Sequence, residues 1–476
     1  MPLTKATYSM VTGAPYNVLD YGADPTGNTD STSAIQTAIN AAGVTRGMVY
    51  FPTGTYQCSS TITMSPYVTL KGSNSAASVV KWSSTGDGMR MTSTLNSPTQ
   101  VYNVIEDLLF WCTNAANTGG GYVDIAGVEI NFKRFRVQGF KYGIILDQSE
   151  LVDIEVCNFA LQTTAGVWLV NGGDHTPGAL GNYTNRIAIN NSQFNQGASS
   201  YCILDDGGYA HTFDGNNYNG GLHHIRNAGQ IGVNISNGEF EGAQNTNLIW
   251  TTTTLNTATS VGQSLNICVQ NNFFIPRAGQ HIIAMDGGTP LNLINNYFGN
   301  NGGAAALLLG LSSIDTLVDI GNIYAGAFIK SGSPTYEFDA INQGTFTPTI
   351  TFANAGNLAV TYAKRTGKYT RVQNRVHISI LIQTSAFTHT TASGNFRITG
   401  LPFVSDSTTD FFQPLAMTFQ GITKASYTQF TPVTDYGQSW LLVTASGSGQ
   451  NWDFLDEADV PTGGTVVLFI NGSYEV

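Results

Sequence analysis

The sequence predicts an all-β chain. A right-handed parallel β-helix, closed at its N-terminal end by a capping helix, is followed by a C-terminal antiparallel β-sandwich. Three observations carry this. Only 11% of residues are charged while 42% are hydrophobic, and Gly, Asn, Ser and Thr abound; such a chain folds, and into strands joined by tight turns. Aromatic residues behind Asn-rich stretches recur with a period near 24 residues through the middle of the chain. After about residue 332 the texture changes to alternating strands. The 476 residues exceed one ordinary core. They divide into a tether at 1–15, a β-helix at 16–332 and a sandwich at 333–476.

In chain order, the loop DPTGNTD is turn chemistry rather than a phosphate loop. Ala34, Ile35, Ala38, Ile39 and Ala42 then form one apolar helical stripe. Ser33 and Gln36 fit a capping box, Asp30 competes as cap, and Gly43 is a natural stop. A strand MVYFPTGTY follows, then VTLKG and SVVKW. From about residue 100 the repeat begins. Its aromatics are Phe194, Tyr218, Phe240, Phe273, Tyr297 and Tyr324, and the segment 251–263 reads as a loop inserted into one repeat. More apolar strands lie between: GIILD (143–147), GVWLV (166–170), YCILD (201–205), HIIAM (281–285) and ALLLG (306–310). One such coil cannot bury its inner face alone. Coils stacked ~4.8 Å apart satisfy the backbone and build a continuous inward column. Asn pairs suit the bends, tolerating left-handed geometry and bonding up and down the stack. In the last part, Val376, Ile378, Ile380 and Ile382 share one strand face, and RTGKY (365–369) and TASGN (391–395) read as turns.

Several function classes are excluded. A net charge of −11 without any basic run argues against nucleic acid. No apolar run reaches ~18 residues, so no membrane insertion is expected, and MPLTKATYSM lacks a signal peptide's apolar segment. The five cysteines are far apart in apolar runs, which fits buried thiols in a reducing compartment. The histidines lack zinc-site spacing, and neither a Gly-x-Ser-x-Gly elbow nor a Walker loop is present. The expectation is no metal and no cofactor.

The ordered set NVLDYGADPTG (17–27), D-ST-S-AIQTAINAA (30–42), MVYFPTGTY (48–56) and VTLKG (68–72) resembles the pectate-lyase-like superfamily. The resemblance implies a parallel β-helix that cleaves acidic or complex polysaccharides. LTKATYSM ahead of it, and GTFTPTITF…TGKYTRVQNRVHISI…ITGLPF (344–403) behind it, resemble bacteriophage tailspikes. That implies a homotrimer on the virion tail, synthesised in the bacterial cytoplasm, that binds and degrades a capsule or O-antigen. No virion-anchoring head precedes residue 3. The expectation is therefore a removed head or attachment through another tail protein.

The superfamily does not fix the catalytic residues, so they are sought locally. Glu239 and Glu241 flank Phe240; if Phe240 points inward, both carboxylates point outward, ~6.5–7 Å apart. That spacing suits an inverting glycosidase, whose carboxyls stand ~6.5–9.5 Å apart, but solvated surface charge fits it equally. Alignment of the repeats puts Asn217 and Asn219 beside the two glutamates, with Asn272 on the far side. Asp214 lies one coil below Ser236 and is a candidate partner carboxylate. So are Asp205 and Asp206, of which at most one faces a given groove; the competing role for all three is turn capping beside Gly. His211, His223, His224 and Arg226 fall in the same coils and could serve a lyase as base and cation. Tyr209, Tyr201, Trp168 and Trp250 could stack on sugar, with core packing the competing role, above all for Trp168. Asp174 and His175 sit in a loop that could wall a groove.

Overall fold

The computed structural model describes residues 13–93, 99–170, 184–228, 230–251, 265–285, 289–302, 307–309, 316–325, 330–331, 336–339, 342–372, 374–447, 449–460 and 462–476. Asp174 and His175, and nearly all of the 251–263 insertion, lie outside them. The chain forms two compact units, Met1–Glu337 and Phe338–Val476.

In the first unit the described strands build three parallel sheets of 13, 12 and 11 strands, here A, B and C. Each coil gives one strand to each. Thr184–Asn190 joins sheet A, Gln193–Gln196 sheet B and Tyr201–Asp205 sheet C; the next coil repeats this with Gly208–Asp214, Asn217–Gly220 and His223–Ala228. This is a right-handed parallel β-helix, the hand that parallel crossovers favour. MVYFPTGTY is not one strand: Met48–Phe51 belongs to A and Gly54–Cys58 to B, with Pro52 at the corner.

A single file of aromatics runs up the inside of sheet B: Phe159, Phe194, Tyr218, Phe240, Phe274, Phe298 and Tyr324. Successive rings stack with centroids 4.4–5.3 Å apart. Phe273 and Tyr297, expected as inward anchors, face outward instead. From Asp107 upward each described A-to-B corner takes two residues. The first is left-handed, as at Asn237, Asn271 and Asn295 (φ 53–54°). The second points inward, so the third points out and the fourth in. In NNFF and NNYF the fourth residues are Phe274 and Phe298. The inward corner positions form an amide ladder. Asn272 Oδ1 accepts the Gly238 N–H at 2.8 Å, Asn296 Oδ1 that of Asn272 at 3.0 Å and Asn322 Oδ1 that of Asn296 at 2.7 Å.

The capping helix spans Thr32–Thr45 and buries Ile35, Ala38, Ile39 and Ala42 against the column. The capping box does not form. Asp30 Oδ1 accepts the Thr32 N–H at 3.0 Å, while Gln36 is engaged by the backbone of Thr63. Gly43 does not end the helix. A Cβ there would stand 2.7 Å from that of Ser65, so close packing requires the glycine, and the helix ends at left-handed Arg46. All five cysteines are free, with four buried and Cys268 half-buried.

The second unit holds two antiparallel sheets over one core. One sheet runs Asn342–Phe346, Ala359–Val372, Arg375–Thr388, Val467–Glu475, Ala416–Gln420; the other runs Thr349–Asn354, Ser393–Thr399, Trp440–Ser446, Gln429–Thr434. Val376, Ile378, Ile380 and Ile382 are buried between them. RTGKY is not a turn but the middle of the strand Ala359–Val372. Its glycine serves an aromatic ring: a Cβ at Gly367 would meet Phe346 at 2.5 Å. TASGN bends at Thr391, and Ser393 already starts the next strand.

Candidate functional site

The candidate carboxylates do not converge. Glu239 and Glu241 stand exposed on the outer face of sheet B, with Phe240 buried between them. Asn217 and Asn219 are their register partners below, as the repeats suggested. Asn217 Nδ2 donates to Glu239 Oε2 at 2.8 Å. The partners above are Phe273 and Ile275, not Asn272, which belongs to the inward ladder. Asp214 ends a strand of sheet A. Its Oδ1 accepts from Ser236 Oγ and Asn237 Nδ2, each at 2.6 Å.

Asp205 and Asp206 split between inside and outside. Asp205 faces inward and is fully buried; His211 Nδ1 lies 2.9 Å from its Oδ2, and its Oδ1 accepts the Gly207 N–H. His211 is therefore a buried partner of the turn and does not line an outer surface. His224 is also internal. Its Nε2 donates to the Glu241 carbonyl at 3.0 Å, Asn247 bonds its Nδ1, and burial pushes its pKa down to about 3. Trp250 is fully buried in the column, so its ring packs in the core and offers no surface to a sugar.

Asp206 points out of sheet C into a second cluster of buried side chains, separate from the column. That cluster contains Val123, Tyr142, Ile145, Trp168, Tyr201 and Leu204. In the sheet C strands Gly120–Ile125, Tyr142–Asp147, Ala165–Val170, Tyr201–Asp205 and His223–Ala228 every position is buried, outward side chains included. Within the cluster, Trp168 Nε1 donates to Asp206 Oδ2 at 2.8 Å, and Arg226 Nη1 reaches Oδ1 at 3.2 Å. Tyr142 stacks on Trp168 with centroids 4.6 Å apart, and Tyr201 on His223 at 5.9 Å. His223 Nδ1 donates to the Thr246 carbonyl at 2.8 Å. Burial, helped by the Arg226 charge, lowers its pKa, so the ring is neutral near pH 7 with Nε2 as its basic nitrogen. Burial pushes the Tyr142 phenol up to about 12 and raises that of Tyr201.

A further carboxylate shares this face. The outer row runs Ile125, Asp147, Val170, and Asp206 continues it one coil on. Asp147 and Asp206 are both fully buried, and their backbones stand two coils, about 10 Å, apart. Sequence reasoning passed over Asp147 and Tyr142. The available signal was the unbroken apolar run in GIILD and GVWLV, since strands covered on both faces do not alternate. Tyr209 is 39% exposed at the start of the sheet A strand Gly208–Asp214. Among the described residues no group of three or more His, Cys, Asp or Glu is arranged to hold a metal ion, and no helix is long and apolar enough to cross a membrane.

Residues 16–275 match the family described as rhamnogalacturonase A/epimerase, pectate lyase-like. No curated protein matches the chain in sequence. Among solved structures, the ORF18 protein of Geobacillus virus E2 is similar at 16% identity and a TM-score of 0.52, over 93% of this chain and 86% of its own. The A-module of a mannuronan C-5 epimerase from Azotobacter vinelandii is similar at 15% identity and a TM-score of 0.50, over 68% of this chain and 99% of its own. The DFA-IIIase of Arthrobacter chlorophenolicus A6 is similar at 11% identity and a TM-score of 0.50, over 69% and 93%. At these identities the likeness is one of fold.

Proposed function

The chain belongs to the pectate-lyase-like family of rhamnogalacturonase A and epimerase, and from that premise we propose that it is a polysaccharide depolymerase whose chemistry is done on the outer face of sheet C. The observation that carries this is the Asp206 carboxylate, buried outside the coil among Trp168, Tyr142 and Arg226. A buried carboxylate that faces outward and is met by both a cation and an indole N–H is a candidate site. Hydrolysis is the preferred chemistry. Asp206 and Asp147 are assigned as acid and base: they stand in one outward row on either side of Val170, with backbones about 10 Å apart, so inversion requires their side chains to lean together into the ~6.5–9.5 Å carboxyl spacing. Trp168 Nε1 and Arg226 Nη1 both donate to Asp206, which is assigned the role of base, and Asp147 is assigned that of the acid that protonates the leaving oxygen. The exposed pair Glu239 and Glu241 is assigned no chemical step.

A second reading rests on His223. Neutral, with Nδ1 tied to a carbonyl, it could abstract the proton α to a uronate whose carboxylate faces Arg226, giving a lyase. In the organism, we propose, the protein is a phage tailspike: a homotrimer on the virion tail, attached through another tail protein at its N-terminus, that degrades a bacterial capsule or O-antigen. The end segments 3–10 and 344–403 support this, as does a fold likeness to a viral protein that spans both units.

The test compares Asp206→Asn, Asp147→Asn, His223→Gln, Glu239→Gln and Glu241→Gln for oligosaccharide release from purified capsular polysaccharide. Loss in the two aspartate variants alone is expected. Loss in either glutamate variant moves the site to sheet B. An unsaturated product lost with His223→Gln replaces hydrolysis by elimination, and binding without release by the wild type makes the protein an adhesin.

A further inference from the structure

Sheet A carries a feature that the sheet C site does not use. In six successive coils the strand is broken at the same level by one left-handed residue: Glu129, Leu151, Arg186, Ala210, Gly232 and Asn266, with φ between 53° and 76°. The ladder passes over these positions; Val128 pairs with Glu150 and Ile130 with Val152, and likewise upward to Ile231–Leu265 and Val233–Ile267. Five of the six are not glycine, and each holds a backbone conformation that disfavours L-residues. These left-handed residues stack in register and interrupt every strand along one line, with one residue skipped on each side of the ladder. The line of interruptions runs parallel to the column axis for about 24 Å over six coils, and we call it the furrow. Around Leu151 and Arg186 it is a groove of about 180 Å³.

The lining has two sides. Leu151, Ala188 and Ala210 make a small apolar floor, while Asp153, Arg186 and Thr212 supply an acceptor, a cation and a hydroxyl. Arg186 and Asp153 are exposed. The exposed ring of Tyr209 adjoins Ala210, and Tyr102, 43% exposed and stacked on Tyr67 at 5.7 Å, stands at the lower end. An apolar floor with polar rims suits a pyranose ring, which has C–H faces and a hydroxyl edge. A groove across three coils, on a line of left-handed residues that repeats over six, suits a polymer more than a single sugar.

We infer that this furrow is a second glycan-binding site, which holds an extended stretch of polysaccharide along sheet A while another stretch is processed on sheet C. The inference rests on the polysaccharide reading above. Long chains engage both sites, and short oligosaccharides engage sheet C alone.

The probe is chosen by passing fluorescently labelled Asp206→Asn protein over an array of purified bacterial capsular and O-antigen polysaccharides and taking the polysaccharide retained. Arg186→Met and Thr212→Val keep most of the shape and remove the polar groups. Each is expected to weaken retention of the long polysaccharide about tenfold, as loss of one hydrogen bond to a charged or well-placed group does. Turnover of short oligosaccharides cut from the same polymer, and the thermal midpoint, should match the wild type. Wild-type retention in both variants overturns the furrow while leaving the sheet C site standing. An equal fall in short-oligosaccharide turnover also overturns it, because the groups would then act at the site of cleavage. Retention of nothing on the array overturns both proposals.

Discussion

Asp124 ties stability to pH in a way that can be worked from its surroundings. It lies in the strand Gly120–Ile125, faces the inside of the coil and is fully buried. Its Oδ2 accepts from Ser149 Oγ and from the Gly127 N–H. Burial pushes its pKa up to about 7 against an ordinary 3.8, and the neighbouring charge of Asp147 adds to the rise. The folded chain therefore holds a proton that the unfolded chain releases. Its contribution is fully present below pH 3.8 and is lost as the pH rises through 7. At ~1.4 kcal/mol per pH unit, the loss between pH 5 and pH 8 is about 3 kcal/mol. Asp124→Asn keeps an acceptor for both donors and removes the ionisation. Guanidinium unfolding at pH 5 and pH 8 should show the wild type losing about 3 kcal/mol more than the variant. An equal pH dependence in the two proteins would refute the argument.

Arg226→Met should destabilise the protein by about 3–5 kcal/mol, because it strips a buried carboxylate of its cation. The double variant with Asp206→Asn should recover most of that loss in the same unfolding assay. Asn272→Ala leaves the Gly238 N–H and the Ile235 carbonyl without their ladder partner and should cost about 1–3 kcal/mol. Asn217→Ala, one residue past the corner and facing solvent, should stay within about 0.5 kcal/mol.

The column was legible because its cause is local. The period, the Asn bends and the apolar helix stripe each follow from neighbours in the chain, and so does the register of Asn217 with Glu239. Phe273 and Tyr297 misled because two aromatics in a row leave the choice of inward residue to the corner, whose length the sequence does not state. Gly43 and Gly367 look like punctuation, yet each answers to a side chain from elsewhere, Ser65 and Phe346. The same limit hid the site. Charge on an apolar background drew attention to Glu239 and Glu241, where it is solvated. Asp147 sits at the end of an apolar run and reads as a strand end, and Asp206, though a candidate, could not be told from Asp205 as the one that faces out. Only the stacking of coils shows that they share one covered row.

The helix Thr32–Thr45 has a consequence for assembly. The terminal coil of a parallel stack exposes three rows of unpaired backbone N–H and C=O groups, an open template for a strand of any other chain. Ile35, Ala38, Ile39 and Ala42 seat the helix on that end, and a helix has no free backbone groups along its side to offer. The helix thus acts as a stopper against end-to-end polymerisation. Weakening its seat, for example with Ile39→Asp, should turn a discrete particle into growing fibres long before the coils behind it lose their structure.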